Sequence, residues 1–255
     1  MKSHTIGVLL FGLATAASLT LLYGVDLSRS WIEVSGSVAK EYQVPIRRVQ
    51  RTEKLAALTF DTCRDSENLR EILDILEKRQ VKTTFFISGD WAGAHPEDVR
   101  EIAEAGQELG VCGREYRDMR GLSGDEAREE LAEVKEQVQE LGGQPVTLFR
   151  PPGGDAGGRL VRSAEDCGLV TVSWDVDSLD WKDYGAEDII ERVAGPEGIQ
   201  EGSIVLCRTE SRYTAEALEG MLAAIEEQGY ELVTVSSLLY QEDWYIDQDG
   251  TQIRQ

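Results

Sequence analysis

Five short segments hold most of the side chains able to do chemistry. They are Thr59–Cys63 (TFDTC), Val111–Tyr116 (VCGREY), Phe149–Gly154 (FRPPGG), Trp174–Trp181 (WDVDSLDW) and Val205–Glu210 (VLCRTE). Asp61 and Asp180 are carboxylates that could take a proton, and Arg150 and Arg208 are guanidinia whose fork suits a carboxylate. Cys63, Cys112 and Cys207 lie in the same segments, and thiolates bind zinc. Histidine is nearly absent: the chain has only His4 and His95, so any mechanism that needs a histidine cluster is excluded. Each segment alone also has a plainer reading. Asp61 could cap the next helix, Arg150 could be an ordinary surface arginine, and Trp174 and Trp181 could be core aromatics.

The elements that would position these residues alternate between strands and helices. Strand candidates are LAALTF ending at Phe60, TTFFI at Ile87, ELGV at Val111, VTLFR at Arg150, LVTVSW at Trp174, SIVLC at Cys207 and ELVTV at Val235, with an earlier one over Val44 to Val49. Between them lie helical stripes. Ser123 and Glu126 have the capping-box spacing, and Ala127, Leu131, Val134, Val138 and Leu141 recur on one face. Leu69, Ile72, Leu73 and Leu76 form another stripe, as do Leu218, Met221, Leu222 and Ile225. This pattern predicts an α/β fold, a short or incomplete (β/α) barrel, with its chemistry at the C-terminal ends of the strands. All five segments fall at those ends.

The composition narrows the function. The 255 residues carry 47 acidic and 26 basic side chains, a formal charge of −21, which excludes a nucleic-acid partner because phosphate binding needs positive charge. Ile6 to Tyr23 is an apolar run flanked by Lys2 and Asp26, near the lower limit for crossing a bilayer core of about 30 Å. It reads as an uncleaved signal anchor, or as a cleaved signal peptide with Ala14-Thr15-Ala16 as the small-residue site. The expected organisation is residues 1–25 as anchor or signal, 26–43 as linker, 44–240 as the folded domain and 241–255 as a C-terminal tail. The expected location is the cell membrane with the domain outside the cytoplasm, or secretion if the segment is cleaved.

In order and spacing, the five segments resemble the polysaccharide deacetylases, the NodB homology domain or carbohydrate esterase family 4. VDSLDWKD is similar to the sporulation-associated Gram-positive branch. The resemblance implies hydrolysis of an N-acetyl group assisted by a divalent metal, usually zinc, held by one aspartate and two histidines. A second aspartate would be the base and a late histidine the acid. Asp61 matches the base, but Thr62, Cys112 and Tyr116 stand at the three ligand positions, and Arg208 replaces the acid. The lining is retained. Arg150 matches the residue that orients the base, followed by Pro151 and Pro152, with Gly153 in place of an aromatic. Asp180 and Trp181 match the pair that supports the acid and walls the acetyl pocket, Leu206 matches the pocket floor, and Trp174 stands with the substrate-binding set.

The implied function is a non-hydrolytic, membrane-anchored relative that binds or regulates N-acetylated cell-wall glycan or peptidoglycan, with no cofactor expected. The alternative is an active deacetylase with an unconventional site, which would need zinc or another divalent metal. A scaffold without ligand is a third reading. One further expectation concerns the vacated site, an ion-pair cluster of Arg208 with Asp180 and Arg150 with Asp61; for Cys63 and Cys112 a disulfide suits an exported domain better than zinc ligation, and the choice between bridged and free thiols stays open. Cys207 is expected to face the outer helices and Cys167 to be a packed core thiol.

Overall fold

The computed structural model describes residues 43–64 and 67–255; the expected signal or anchor segment and nearly all of the linker lie outside them. The described chain enters on a short strand, Arg48–Val49 (β1), and continues into Leu55–Thr62 (β2), which is buried from Ala56 onward. Such a continuous buried run is what a parallel sheet covered on both faces requires. The other strands of this sheet are Thr84–Ile87 (β3), Glu108–Val111 (β4), Leu148–Phe149 (β5), Val170–Thr171 (β6), Val176–Asp177 (β7) and Ile204–Arg208 (β8). They are ordered β6-β5-β4-β3-β2-β8-β7, with Glu231–Leu232 (β9) pairing the first residues of β2, and every pairing is parallel.

β6 and β7 end the series without pairing to each other, so the barrel is open, as expected. The entry segment runs from the end of β6 to the start of β8. Ile46 bridges Val172 and Arg48 bridges Ser203, so the strand expected over Val44 to Val49 is regular only in β1. The Ile46 amide donates to the Thr171 carbonyl at 2.9 Å, and the Val49 amide donates to Gly202 at 2.9 Å. β7 was not anticipated. It is two residues long inside a polar, acid-rich stretch, too short to show a period.

Helices cover the outside of the sheet. The longest, Gly124–Gly142, opens on the predicted capping box: the Ser123 amide donates to Glu126 at 2.8 Å, and the Glu126 amide donates to Ser123 Oγ at 3.3 Å. Its apolar stripe buries Ala127, Leu131, Val134 and Val138. Cys207 packs in the core with these helices, and Cys167 lies partly buried against it. No helix among the described residues is long and apolar enough to cross a membrane.

The stretch 241–255, expected as a tail, is folded. Trp244–Ile246 (β10) and Thr251–Arg254 (β11) form an antiparallel hairpin, and β11 pairs in parallel with β1, setting Arg48 opposite Thr251 and Val49 opposite Gln252. Gln252 is buried, and its amide exchanges hydrogen bonds with the Tyr240 backbone at 2.8 and 2.9 Å. This sheet is held by backbone pairing, the Gln252 amide and a few apolar contacts, Val49 in the core and Ile246 packed against it, too few to write a hydrophobic period into the sequence.

Candidate functional site

The C-terminal ends of β2, β4, β5 and β8 bring Asp61, Cys112, Arg150 and Arg208 to one end of the barrel. The register sets Asp61 directly beside Arg208, and Val111 beside Phe149, the residue before Arg150. Arg150 is 0% exposed and Asp61 2%. Arg150 Nη1 lies 3.0 Å from Asp61 Oδ1 and donates to Thr59 Oγ1 at 2.8 Å, while Nη2 donates to the Ser173 carbonyl at 3.2 Å. Its guanidinium carbon stands 4.0 Å from the centre of the Phe86 ring and 5.5 Å from that of Trp174. The expected Arg150–Asp61 pair is therefore present, and the surface-arginine reading is excluded. Thr59, two residues before Asp61 on the same strand face, extends the network by donating to the Val205 carbonyl at 2.5 Å.

The second Asp61 oxygen is also engaged, because Tyr116 donates its hydroxyl to Oδ2 at 3.0 Å. Burial, reinforced by the Asp61 charge, pushes the Tyr116 phenol well above the usual tyrosine range, so it stays a donor. Asp61 is thus a carboxylate gripped at both oxygens, an arrangement suited to fixed charge.

The other half of the expected cluster is corrected. Asp180, 1% exposed, accepts at Oδ2 from the Arg208 backbone amide and from the Thr214 hydroxyl, both at 2.7 Å. No ion pair joins the Arg208 guanidinium to Asp180. The reason is local: backbone and hydroxyl donors already fill that oxygen, and the Arg208 guanidinium instead stands 5.7 Å from the ring centres of both Tyr116 and Trp181. Cation–π attraction to two rings holds it at the mouth of the pocket. Three polar atoms around it find no protein partner: Asp180 Oδ1, Arg208 Nε and Glu210 Oε2.

Burial raises the pKa of both Asp180 and Glu210, with Arg208 partly opposing the shift in each case. The folded state therefore holds these protons more tightly than the unfolded chain. Their contribution favours folding at low pH and is lost as pH rises from the ordinary carboxylate value through the raised one. Glu210→Gln removes the titration. Chemical denaturation across the acid-to-neutral range should show the variant gaining on the parent as pH rises above 4.5, the ordinary glutamate value, with the gap closing below it. A gap independent of pH would sink this account.

The three positions aligned with metal ligands do not form a site for zinc. Cys112 is fully buried and its thiol points at the Phe86 carbonyl, 3.8 Å away, as does that of Cys63. Burial pushes both thiols above the ordinary range, and the two are hydrogen-bonded to each other. They are free thiols with no bridge between them: attack needs a thiolate, which this apolar, carboxylate-flanked position disfavours. Thr62 is buried with its hydroxyl unpartnered, Tyr116 is committed to Asp61, and Arg208 adds a fixed positive charge. Among the described residues no three His, Cys, Asp or Glu side chains are grouped to hold a metal. His95 is elsewhere, stacked on Trp91 and 3.5 Å from Asp98.

The positions that the resemblance gives to the lining differ in burial. Leu206 and Pro151 are buried, Trp174 is half-buried, and Trp181 is 47% exposed at the rim. Pro152 and Gly153, with Tyr116, Arg64, Arg117 and Arg120, border a groove of 390 Å³ beside the pocket. A larger hollow of 600 Å³ lies outside β7, walled mainly by Asp175, Asp177, Asp188, Glu191 and Glu197, and none of the pocket residues reaches it. Sequence reasoning missed Thr59, Glu210 and Thr214. Strand alternation from Asp61 could have found the first, and alternation from Arg208 the second. Thr214 begins a helix after a loop and carried no signal.

The fold and this constellation define a polysaccharide deacetylase domain, and the profile described as Polysaccharide deacetylase matches residues 48–172. The chain belongs to this family, carbohydrate esterase family 4. It is 30% identical to a peptidoglycan-N-acetylglucosamine deacetylase of Bacillus cereus, over 84% of this chain and 98% of that one. It is 31% identical to the peptidoglycan-N-acetylmuramic acid deacetylase PdaC of Bacillus subtilis, over 74% of this chain but only 40% of that longer relative. Among solved structures it resembles a family pseudoenzyme from Bacillus anthracis, with 34% identity, a TM-score of 0.74, and 77% and 69% of the two chains covered. A mutant of that pseudoenzyme with restored enzymatic activity matches at the same TM-score.

Proposed function

We propose that this chain is a non-hydrolytic member of the family that binds N-acetylated cell-wall glycan in the inherited pocket and leaves the amide intact. The observation that carries this reading is the state of the reacting positions. Asp61 is held at both oxygens, and a permanent guanidinium stands where a proton donor is required. Losing a general acid alone costs about 10²–10⁴-fold in rate, and Arg208 cannot give up a proton at neutral pH. The Trp181 ring, 47% exposed and 5.7 Å from the Arg208 guanidinium, favours sugar binding over a scaffold without ligand, because an exposed aromatic face suits a sugar ring. The relatives named for peptidoglycan deacetylation point to the same glycan. The test is to titrate the purified domain with N-acetylglucosamine oligomers and peptidoglycan fragments while assaying acetate, with and without zinc. Saturable binding without zinc-dependent acetate release is expected. Turnover comparable to active relatives would favour the unconventional-deacetylase reading instead.

The same reading includes a tether. The apolar Ile6 to Tyr23 run supports an anchored, extracytoplasmic domain. Full-length protein should fractionate with membranes and retain Met1. A soluble mature chain beginning near Ala17 or Ser18 would show a cleaved signal peptide.

A further inference from the structure

Beside Asp61 lie two thiols, Cys63 and Cys112, that glycan binding does not use. They are carried by β2 and β4, with β3 between those strands. The register sets Thr62 beside Ile87 and Ile87 beside Val111. One residue further on, the Ser88 amide donates to the Thr62 carbonyl at 3.4 Å and the Cys112 amide to the Ile87 carbonyl at 3.0 Å, so the three strands stay in step through Cys63, Ser88 and Cys112. Side chains alternate between the faces of a strand. Ile87 and Val111 pack with the outer helices, whereas Phe86 and Cys112 belong to the cluster inside the barrel, with Cys63 packed against it. Inward residues at one level on alternate strands of a barrel meet over the strand between them. The two thiols accordingly share the Phe86 carbonyl, each at 3.8 Å, and hydrogen-bond to each other.

This arrangement brings the sulfurs close while keeping the backbones apart. Neighbouring strands lie about 4.8 Å apart, so Cα atoms on alternate strands are separated by about 9 Å. A disulfide requires Cα atoms within about 7 Å, and β3 stands in the way of any closer approach. The thiols are free for this reason as well as through burial. A metal ion lengthens the link. Two metal–thiolate bonds of about 2.3 Å replace one S–S bond of about 2.05 Å, a gain of about 2.5 Å that spans alternate strands.

We infer that Cys63 and Cys112 form a two-coordinate site for a soft monovalent cation, Cu(I). Soft thiolates select Cu(I), which accepts two ligands in a line. Zinc takes four, and no third His, Cys, Asp or Glu is grouped with this pair among the described residues. Loading breaks two S–H bonds, releases two protons to solvent and forms two Cu–S bonds, with no change of oxidation state. Burial holds both thiols protonated, but a thiol that coordinates a metal is deprotonated outright. The loaded pair carries one net negative charge. Arg150 favours that charge at Cys112, while Asp61 opposes it at both thiols and Glu210 at Cys63. Asp61 is already met by Arg150 and Tyr116. Cys63 is only half-buried and gives the ion its entry.

The experiment titrates the full-length protein with Cu(I) under anaerobic conditions against the chelator bicinchoninate, using the parent, Cys63→Ser, Cys112→Ser and Cys167→Ser. The parent and Cys167→Ser should each take one Cu(I) per chain, and the other two variants should bind at least about 100-fold more weakly. X-ray absorption by the copper-loaded parent should show two sulfur neighbours. Copper should raise the melting temperature of the parent but not that of Cys63→Ser, and zinc should raise neither. Cys63→Ser changes a half-buried side chain and should melt with the parent without metal, so it decides the matter if Cys112→Ser does not fold. Equal Cu(I) affinity in the parent and Cys63→Ser overturns the site. So does a Cys63–Cys112 disulfide formed in the parent on air oxidation, because the strands would then approach closely enough for a direct bond.

Discussion

Replacing Arg150 with methionine should destabilise the domain by about 3–5 kcal/mol, the loss typical when one partner of a buried ion pair is removed. The side chain is fully buried, and its guanidinium serves Asp61, Thr59 and the Ser173 carbonyl at once. Methionine keeps much of the volume against Phe86 but strands the Asp61 carboxylate with only the Tyr116 hydroxyl. Arg150→Lys should recover little, because a point charge cannot reproduce the planar contacts to three partners. Pairing Arg150→Met with Asp61→Asn should recover part of the loss by removing the stranded charge. Urea denaturation of the four proteins measures this. A loss under about 1 kcal/mol for Arg150→Met would place the pair among weak surface-type contacts and contradict the geometry.

On the proposed non-hydrolytic reading, gaining hydrolysis should take four substitutions together: Thr62→Asp, Cys112→His, Tyr116→His and Arg208→His. The first three supply the missing donors, and Tyr116→His also releases Asp61 Oδ2 from the phenol that now holds it. The fourth returns a group that can give up a proton, worth about 10²–10⁴-fold by itself once the others are in place. Arg208→His alone should give no zinc-dependent acetate release from N-acetylglucosamine oligomers. It should also leave stability within about 1 kcal/mol of the parent, because Asp180 is satisfied through the Arg208 backbone and not through its guanidinium. Acetate release by the single variant would show that a metal site survives at Thr62, Cys112 and Tyr116.

The site was legible where chemistry and strand ends coincide. Asp61 beside Arg150 followed from the resemblance, in which that arginine orients the base, and the helix after Ser123 followed from its cap and stripe. The Arg208 partner was not legible, because sequence shows which side chain stands at a position but not whether its backbone amide reaches a carboxylate first. The Cys63 and Cys112 thiols lie together as proximity suggested, yet burial keeps them protonated and unbridged. The C-terminal hairpin escaped for a different reason, since amphipathic period is the signal that a two-layer core writes into a chain, and that hairpin has little core.

That hairpin gives the domain two levels of unfolding. β11 pairs with β1 through backbone bonds, and the Gln252 amide ties it to the Tyr240 backbone, while the barrel strands β2 to β8 pair with one another independently of it. Withdrawal of β10 and β11 therefore opens a latch without dismantling the barrel, a local excursion below the global free energy of unfolding. The same latch holds the segment that joins the end of β6 to the start of β8, through the bridges of Ile46 to Val172 and Arg48 to Ser203. Its closure cannot precede the barrel, because the two strands it joins are brought together only when the intervening β/α units have folded. A pull on the polypeptide preceding Arg48 would load Ile46 first, and through its bonds to Thr171 and Ser173 it would reach the residue whose carbonyl accepts from Arg150, so tension in the chain is carried toward the Arg150 network.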